Sequence, residues 1–347
     1  MRKVALIYDE IFLKHNPGNW HPESPYRLES ILKRVEREDI KNLVEILPPE
    51  KATKEEILWN HTEELYELIA QTSGKSYFTL DPDTSTNEYS FESALYAVGA
   101  QKKALKLLFE NKFDYVFALV RPPGHHAERD RAMGFCLFNN VALAAYYAKH
   151  YHGLNRILII DFDLHHGNGT QKSFYDDPEV MFFSTHQYPF YPGTGNYTEI
   201  GTKDGRGYNI NVPLKSGLGD NEFIFFYKEL LEPISLQFKP QIILVSAGFD
   251  SLKGDPLGGL NLTLQGLSNI IKIVQIIANR TSKGKILFTL EGGYNLQNLA
   301  EGVATIIQTL TGTIEIKEPY YEKTSLSPYA IDLYHKISEL LKFKWQL

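Results

Sequence analysis

Cysteine is nearly absent from the sequence, and so are the patterns that indicate a membrane protein or a nucleic-acid-binding protein. The one cysteine, Cys136, excludes a disulfide within the chain, so we expect a cytoplasmic setting. No apolar run approaches the ~18 residues of a membrane span, and the run near the N-terminus is too short for a signal peptide. Lys and Arg are scattered and the net charge is -6, which argues against direct nucleic-acid binding.

Apolar residues, by contrast, make up 43% of the 347-residue chain, enough to bury a large core. They recur as short runs followed by polar loops and helical stretches, which predicts an α/β fold with a parallel sheet and helices on both faces. We see no linker and predict a single domain, 1–347. The predicted strands are 3–8, 115–120, 157–160, 180–183, 242–245 and 286–290. The predicted helices are 28–35, 90–110, 141–151, 221–237, 264–280 and 327–343, the last in a C-terminal helical tail, 318–347. Segments 15–27 and 81–87 are predicted to be polar loops, and 53–56 reads as a capping box.

The stretch 156–171, RILIIDFDLHHGNGTQ, changes from apolar to polar within one residue. Asp161, Asp163 and His165 stand two residues apart, so on an extended backbone they point to one side. Oxygen and nitrogen donors in such a group favour a divalent cation such as zinc, whereas the alternative is a solvated polar turn. Gly167 and Gly169 are expected to allow the tight turn out of the sheet.

Other loops that follow predicted strands also carry chemically active residues. RPPGHH presents His125 and His126 behind two stiff prolines, although a surface pair is the alternative. Asp250 is a candidate third metal ligand, since two Asp and one His leave a position open for water. Because the carboxyl ends of parallel strands share one edge of a sheet, we expect these side chains to meet there.

The last such loop contains Gly292 and Tyr294. Glycine allows close backbone approach, and a phenol beside a metal can donate a hydrogen bond to a developing oxyanion. Two loop aromatics, Phe135 and Tyr191, are predicted to line a narrow apolar channel, although packing is the commoner fate of such residues.

Six ordered motifs resemble one known family. RPPGHHA, GFCLFNN, DFDLHHGNGTQ, FYPGTG, GFDSLKGDPLGG and EGGYN are similar to the zinc-dependent histone deacetylase family of the arginase–deacetylase superfamily, in its class II-like and bacterial deacetylase-like branch. The resemblance covers roughly residues 8–310. It implies an arginase–deacetylase fold, a single parallel sheet of about eight strands flanked by helices on both faces.

The resemblance also implies roles for the residues at matching positions. Asp163, His165 and Asp250 would bind one zinc ion per chain. His126 would act as general base and then general acid, with His125 as its electrostatic partner. The remaining catalytic positions are Asp161, which would orient His125, Asn168, the partner of His126, and Tyr294, which would polarise the amide carbonyl.

Substrate and potassium positions follow from the same resemblance. Gly134 would accept the substrate amide N–H, Asp83 would hold the substrate backbone, and Arg27 would line an inner channel through which acetate leaves. Phe135 and Tyr191 would form the walls of the acyl-lysine tunnel, with Leu257 at its mouth, and Gly292 is a further predicted substrate-binding residue. Potassium is expected as a structural cofactor, and the positions that match its sites are Asp161, Ser184, Phe174, Val180 and Tyr208.

Three residues depart from the family's commoner patterns. Asn168 replaces an Asp found in class I members and should leave His126 less basic than a carboxylate would. Tyr191 replaces the usual Phe and adds a hydroxyl at the rim. Leu257 stands where the polyamine-selective branch has Glu, which counts against acetylpolyamine substrates.

The sequence therefore predicts an amidohydrolase that removes acetyl or other short acyl groups from lysine side chains. The alternatives are a deacetylase of small amides such as acetylpolyamines, an inactive module that binds acyl-lysine, and an arginase-like hydrolase with two metals. Retention of His125, His126 and Tyr294 argues against the inactive module. The expected partner is an acyl-lysine protein or peptide, or a small acetylated amine; the sequence leaves the oligomeric state open.

Overall fold

Eight parallel strands form one sheet in the structure, a computed structural model that describes residues 4–347. In chain order the strands are β1 (Val4–Ile7), β2 (Val44–Leu47), β3 (Phe78–Asp81), β4 (Thr84–Thr86), β5 (Tyr115–Ala118), β6 (Ile157–Asp161), β7 (Val180–Gln187), β8 (Asn209–Leu214), β9 (Ile242–Ala247) and β10 (Ile286–Leu290). Strands β3 and β4 pair as a separate antiparallel hairpin. The other eight lie in the order β2-β1-β5-β10-β9-β6-β7-β8.

Helices cover the sheet in two groups. They are α1 (Ile11–Lys14), α2 (Tyr26–Val35), α3 (Glu38–Lys41), α4 (Lys54–Leu58), α5 (Glu63–Ala70), α6 (Ser90–Phe109), α7 (Asn140–His152), α8 (Asn168–Ser173), α9 (Asp220–Phe226), α10 (Glu232–Phe238), α11 (Leu264–Thr281), α12 (Leu296–Thr311) and α13 (Pro328–Leu341). Helices α6 and α7 pack together against the central strands, whereas α2, α11 and α12 form the second group. In the described chain, no helix combines the length and apolar character needed to cross a membrane.

The order of the central strands positions the site. Strands β5 and β6 follow each other along the chain, yet β10 and β9 lie between them in the sheet. All seven pairings in the sheet are parallel, so the loops that follow β5, β10, β9 and β6 emerge side by side at one edge. Each of these strands is buried along its whole length, as its unbroken apolar run predicted.

The predicted fold class is confirmed, and the strands predicted near 115, 157, 180, 242 and 286 are present. Strands β2 and β8 and helix α12 were not predicted. Strand β8 has the sequence NINVPL, whose two asparagines conceal a buried strand because their side-chain NH2 groups donate to Gln171 Oε1. Lys3, the predicted first residue of β1, lies outside the described residues.

Two predicted loops contain regular structure. Segment 81–87 includes the turn and second strand of the β3–β4 hairpin, and α2 begins at Tyr26, inside the predicted loop 15–27. The predicted helix 221–237 is interrupted by a π-helical turn, Tyr227–Leu231, between α9 and α10. The capping box is confirmed, since Thr53 and Glu56 exchange side-chain hydrogen bonds with each other's backbone N–H groups at the start of α4.

Candidate metal centre and active site

Asp163, His165 and Asp250 meet at the carboxyl edge of the sheet, where β6 and β9 end. One ligand atom of each lies within 4.8 Å of the others, and among the described residues this is the one such group of three or more His, Cys, Asp or Glu. The His165 Nδ1 atom lies 3.2 Å from Asp163 Oδ1 and 3.1 Å from Asp250 Oδ2. The three predicted ligands therefore come together.

Backbone amides hold the two carboxylates in place. Gly292 N–H donates to Asp163 Oδ2 at 2.8 Å, and Leu164 N–H donates to Asp250 Oδ1 at 3.0 Å. A Cβ at Gly292 would lie 2.4 Å from Asp250 Oδ2 and 2.6 Å from Asp163 Oδ2, so only glycine allows this approach. Each carboxylate is thus oriented by the protein and keeps its other oxygen toward the site.

The donor set fits a divalent cation. Burial, and then the Asp163 charge, raise the pKa of Asp250 to about 6. Burial would lower the pKa of His165, but Asp163 and Asp250 outweigh it and raise that pKa to about 9. A divalent ion would compensate both buried carboxylates at once, and two oxygens with one imidazole nitrogen are a ligand set that zinc accepts.

His125 and His126 stand side by side in the loop that follows β5, with ring centroids 4.0 Å apart. His125 Nδ1 lies 3.0 Å from Asp161 Oδ2, whereas His126 Nδ1 lies 2.7 Å from Asn168 Oδ1. Burial would lower the pKa of His125, but Asp163 and Asp161 raise it to about 10. Burial, and then the charge of His125, hold the pKa of His126 well below its usual value. The pair therefore combines a cationic imidazole with a neutral one.

Glu291, which the sequence reasoning missed, anchors the loop that carries both histidines. Its Oε2 atom accepts the backbone N–H groups of Gly124 and His125 at 2.7 and 3.1 Å, and its Oε1 atom accepts the Ser246 hydroxyl at 3.0 Å. Burial raises the pKa of Glu291 to about 7. The sequence did contain a feature that indicates this role, because Glu291 directly follows a buried strand in the motif EGGYN.

A cavity of about 150 Å³ opens beside these residues, and its wall includes His125, His126 and His165. The other lining residues are Asp83, Pro123, Gly134, Phe135, Tyr191, Leu257, Gly292 and Tyr294. The predicted tunnel residues are thus brought together around one space.

Gly134 and Phe135 take an unusual backbone path along this cavity. Both have positive φ, 59° and 69°, and a Cβ at Gly134 would lie 2.4 Å from the His126 ring. The hairpin turn supports them, because Gly134 N–H donates to Asp83 Oδ1 and Phe135 N–H donates to Thr84 Oγ1, both at 3.0 Å. A strained non-glycine residue at a cavity wall is typical of a functional site.

Tyr191 forms the facing wall. Its ring meets the His126 ring edge-on at 5.2 Å and the His165 ring at 6.0 Å. Burial, and then the Asp83 carboxylate, raise the pKa of the Tyr191 hydroxyl far above its usual value. The hydroxyl that distinguishes this residue from Phe therefore interacts with Asp83 at the rim.

Tyr294 lies against Arg27, whose guanidinium carbon is 5.1 Å from the ring centroid. Arg27 is fully buried on α2 and donates to the carbonyl oxygens of Gly293 and Glu291 at 2.8 and 2.5 Å, and to Glu23 at 3.1 Å. Asp255, also missed, accepts the backbone N–H of Tyr294 at 2.7 Å. Burial raises the pKa of Tyr294 well above its usual value, so the phenol stays protonated.

The predicted potassium positions fall into two places. Ser184 pairs in register with Asp161 on the neighbouring strand, beside the histidine pair. Phe174 follows α8, Val180 begins β7 and Tyr208 precedes β8, so these three lie away from the metal ligands. The Tyr208 carbonyl already accepts the Phe182 N–H at 2.9 Å.

One expectation about the stretch after β6 is wrong. The extended strand ends at Asp161, and Asp161 faces His125 rather than joining Asp163 and His165 in the metal group. Gly167 and Gly169 do not have positive φ. Glycine is required there by crowding, since a Cβ would lie 2.3 Å from Asp161 Oδ2 at Gly167 and 2.2 Å from the Ala127 carbonyl oxygen at Gly169.

Comparison with known proteins gives a consistent assignment. The family described as "Histone deacetylase domain" matches residues 21–310. The chain is 40% identical over 336 residues to "Histone deacetylase 5" of Arabidopsis thaliana, covering 92% of this chain and 50% of that protein. It is 38% identical over 296 residues to a "Probable deacetylase" of Archaeoglobus fulgidus, covering 85% of this chain and 82% of that protein. The structure titled "Crystal Structure of HDA15 HD domain" aligns with a TM-score of 0.92 at 35% identity, over 99% of this chain and 95% of that one. The chain spans about half the length of "Histone deacetylase 5" and "Histone deacetylase 18" of Arabidopsis thaliana.

We expect Gly292→Ala to lower the amount of divalent metal that the purified protein retains. The added methyl group would occupy the space between the Asp163 and Asp250 oxygens. Elemental analysis after dialysis measures the metal content, and circular dichroism checks the fold. The control is Gly254→Ala. Its added Cβ would meet open space, and the positive φ at this position costs a non-glycine residue only about 1–2 kcal/mol. Full metal retention in a folded Gly292→Ala protein would contradict the assignment.

Proposed function

Because the chain belongs to the histone deacetylase family, we propose that it is a zinc-dependent amidohydrolase that removes acetyl or other short acyl groups from lysine side chains of proteins or peptides. The observation that carries this proposal is the group of side chains around one cavity. The cavity is bordered by the metal ligand His165, by His125 and His126, and by the phenol of Tyr294. A hydrolytic water and an amide carbonyl would meet there.

The two histidines take different roles because their surroundings differ. His126 is neutral, so it can remove a proton from the attacking water and later return it to the leaving amine nitrogen. His125, held by Asp161, stays cationic and stabilises the negative charge that develops beside it. Asp161 is thus proposed as an orienting residue and Asn168 as the partner that carries no charge.

Zinc held by Asp163, His165 and Asp250 would polarise the amide carbonyl and activate water, as it does in other hydrolases. We propose one such ion per chain. Tyr294 contributes from the protein side, because its protonated hydroxyl donates a hydrogen bond to the carbonyl oxygen as negative charge develops. No covalent intermediate with the enzyme is needed.

The walls of the cavity suit an acyl-lysine side chain. Phe135 and Tyr191 enclose the alkyl stem and exclude water, while the Gly134 carbonyl accepts the amide N–H. Asp83 would bind the substrate backbone at the rim. Arg27 would line the route by which the carboxylate product leaves, because its guanidinium lies behind Tyr294.

The alternative is a deacetylase of small amides such as acetylpolyamines. Leu257 counts against it, because this apolar residue lines the cavity and offers no partner to a second ammonium group. A peptide substrate is therefore the better fit.

Two further assignments extend the proposal. Potassium would be bound near Asp161 and Ser184, and near the carbonyl groups of Phe174, Val180 and Tyr208, where it would stabilise the fold. A cytoplasmic location is proposed from the single cysteine, Cys136, which is buried and forms no disulfide.

We expect Tyr294→Phe to lose about 10²–10³-fold in kcat on an acetyl-lysine peptide while retaining its metal. The reason is that the hydroxyl acts on the carbonyl oxygen and holds no metal. Steady-state kinetics and elemental analysis measure the two properties. The matched control is Tyr321→Phe, which removes a hydroxyl that donates to Glu229 outside the cavity. Turnover of Tyr294→Phe near the level of the unaltered protein would refute the role.

We expect the unaltered protein to have a higher kcat/KM on acetyl-lysine peptides than on acetylputrescine or acetylspermidine, and Leu257→Glu to narrow or reverse this order. A carboxylate at 257 would pair with the distal ammonium group of a polyamine. The comparison is made at one ionic strength because the effect is electrostatic, with Leu257→Gln as the uncharged control. If the unaltered protein already prefers polyamines, the small-amide alternative replaces the proposal of an acyl-lysine peptide substrate.

A further inference from the structure

The side-chain amide of Asn168 stands between His126 and a second acidic residue, Glu128. Its Oδ1 atom lies 2.7 Å from His126 Nδ1, and its Nδ2 atom donates to Glu128 Oε1 at 2.6 Å. The other atoms near Nδ2 are the His126 carbonyl oxygen and Met133 Sδ, both at 3.5 Å. All three neighbours of Nδ2 are hydrogen-bond acceptors. Reversing the amide would place two oxygens face to face at the shortest of these contacts.

The direction of this amide decides which nitrogen of His126 carries its proton. An asparagine amide has a donor end and an acceptor end, and the two can exchange by rotation. With Oδ1 toward His126, the Nδ1 atom must carry the proton, which leaves Nε2 free to receive one. With Nδ2 toward His126, Nδ1 would have to accept and the proton would move to Nε2. An aspartate has no such ambiguity, so asparagine needs a further residue to set its direction.

Hydrogen bonds hold Glu128 firmly enough for it to set the direction of the Asn168 amide. Its backbone N–H donates to the Arg131 carbonyl at 2.9 Å, and its own carbonyl accepts His61 Nδ1 at 2.9 Å. Buried His61 receives the Asn139 backbone N–H on Nε2 at 2.9 Å, so Nδ1 is the protonated nitrogen. The second carboxylate oxygen of Glu128 accepts Lys172 Nζ at 2.7 Å.

We propose that Glu128 is a positioning residue that sets the amide of Asn168 and thereby keeps His126 protonated on Nδ1 and free on Nε2. This inference rests on the proposed role of His126 in deacetylation. The competing explanation is that Glu128 serves only as half of a surface ion pair with Lys172. Such pairs contribute little to stability, and that role would not depend on which group stands at 168.

Removal of the carboxylate tests the proposal first. Glu128→Ala should lower kcat on the order of 10-fold, as loss of a residue that orients a catalytic group typically does, with little change in KM. Glu128→Gln should retain most activity, because its Oε1 atom can still accept from Asn168. The control is Glu232→Gln, a similarly buried residue that accepts from Arg280 on another part of the surface and should leave kinetics unchanged. Unchanged kcat in a folded Glu128→Ala protein would overturn the proposal.

A reciprocal exchange tests the coupling between the two residues. Asn168→Asp alone would set two carboxylates against each other and should lower kcat, whereas Asn168→Asp combined with Glu128→Gln should recover it, because Gln can turn its amide nitrogen toward the new carboxylate. A double-mutant cycle measures this dependence. If Asn168→Asp has the same effect with Glu or Gln at 128, the two residues are not coupled and the proposal is wrong.

A spectroscopic readout keeps the inference separate from the proposed activity. Imidazole ¹⁵N NMR of the metal-loaded protein should show His126 protonated on Nδ1, and Glu128→Ala should shift part of the population to Nε2. His126→Gln identifies the signal. An unchanged tautomer in Glu128→Ala would overturn the role of Glu128, whereas absence of deacetylation in a protein with the expected tautomers would overturn only the proposed function.

Discussion

Four carboxylates are buried at one edge of the sheet, and the cost of burying their charge governs the structure around them. They belong to Asp161, Asp163, Asp250 and Glu291, none more than 1% exposed. An unpaired buried charge costs several kcal/mol, so each must be compensated. Imidazoles and backbone N–H groups provide part of this compensation, and a divalent cation would provide the rest. The same constraint explains why glycine is required next to these carboxylates. A Cβ would overlap with a carboxylate oxygen of Asp161 at Gly167, of Asp163 at Gly248 and of Asp250 at Gly292.

The same edge shows how two neighbouring histidines acquire different charges. His125 faces a carboxylate and His126 faces an amide, although their rings are in contact. The neutral partner has a structural consequence, because an amide must be oriented by something beyond it. Here a carboxylate lies on the far side of Asn168, so the negative charge stands one residue further from His126 than in a His–Asp pair. The Asn168 amide therefore still orients the His126 ring, while the Glu128 carboxylate acts electrostatically on His126 from a greater distance.

Local sequence patterns predicted the buried central strands well, but they missed strand β8 and two glutamates of the site. The strands before RPPGHH, DFDLHHG, SAGFD and EGGYN are short, continuous apolar runs, and such runs are readable without knowledge of their neighbours. Strand β8 was missed because its asparagines look like loop residues until Gln171 is in place to bond them. Glu291 and Glu128 were missed for a related reason: a lone Glu is usually a surface residue, and only its partners in space reveal another role.

The sequence by itself determined the residue types at the site, the buried strands that precede them and the membership of a known family. Tertiary structure alone decided that β10 and β9 lie between β5 and β6, which brings Asp250 and Tyr294 beside His125 and His126. It also decided the direction of the Asp161 side chain, which the two-residue spacing placed with the metal ligands and only the family resemblance placed beside His125. The physical reason is that strand order and side-chain direction at a strand end depend on packing between segments far apart in the chain, about which local periodicity carries no information.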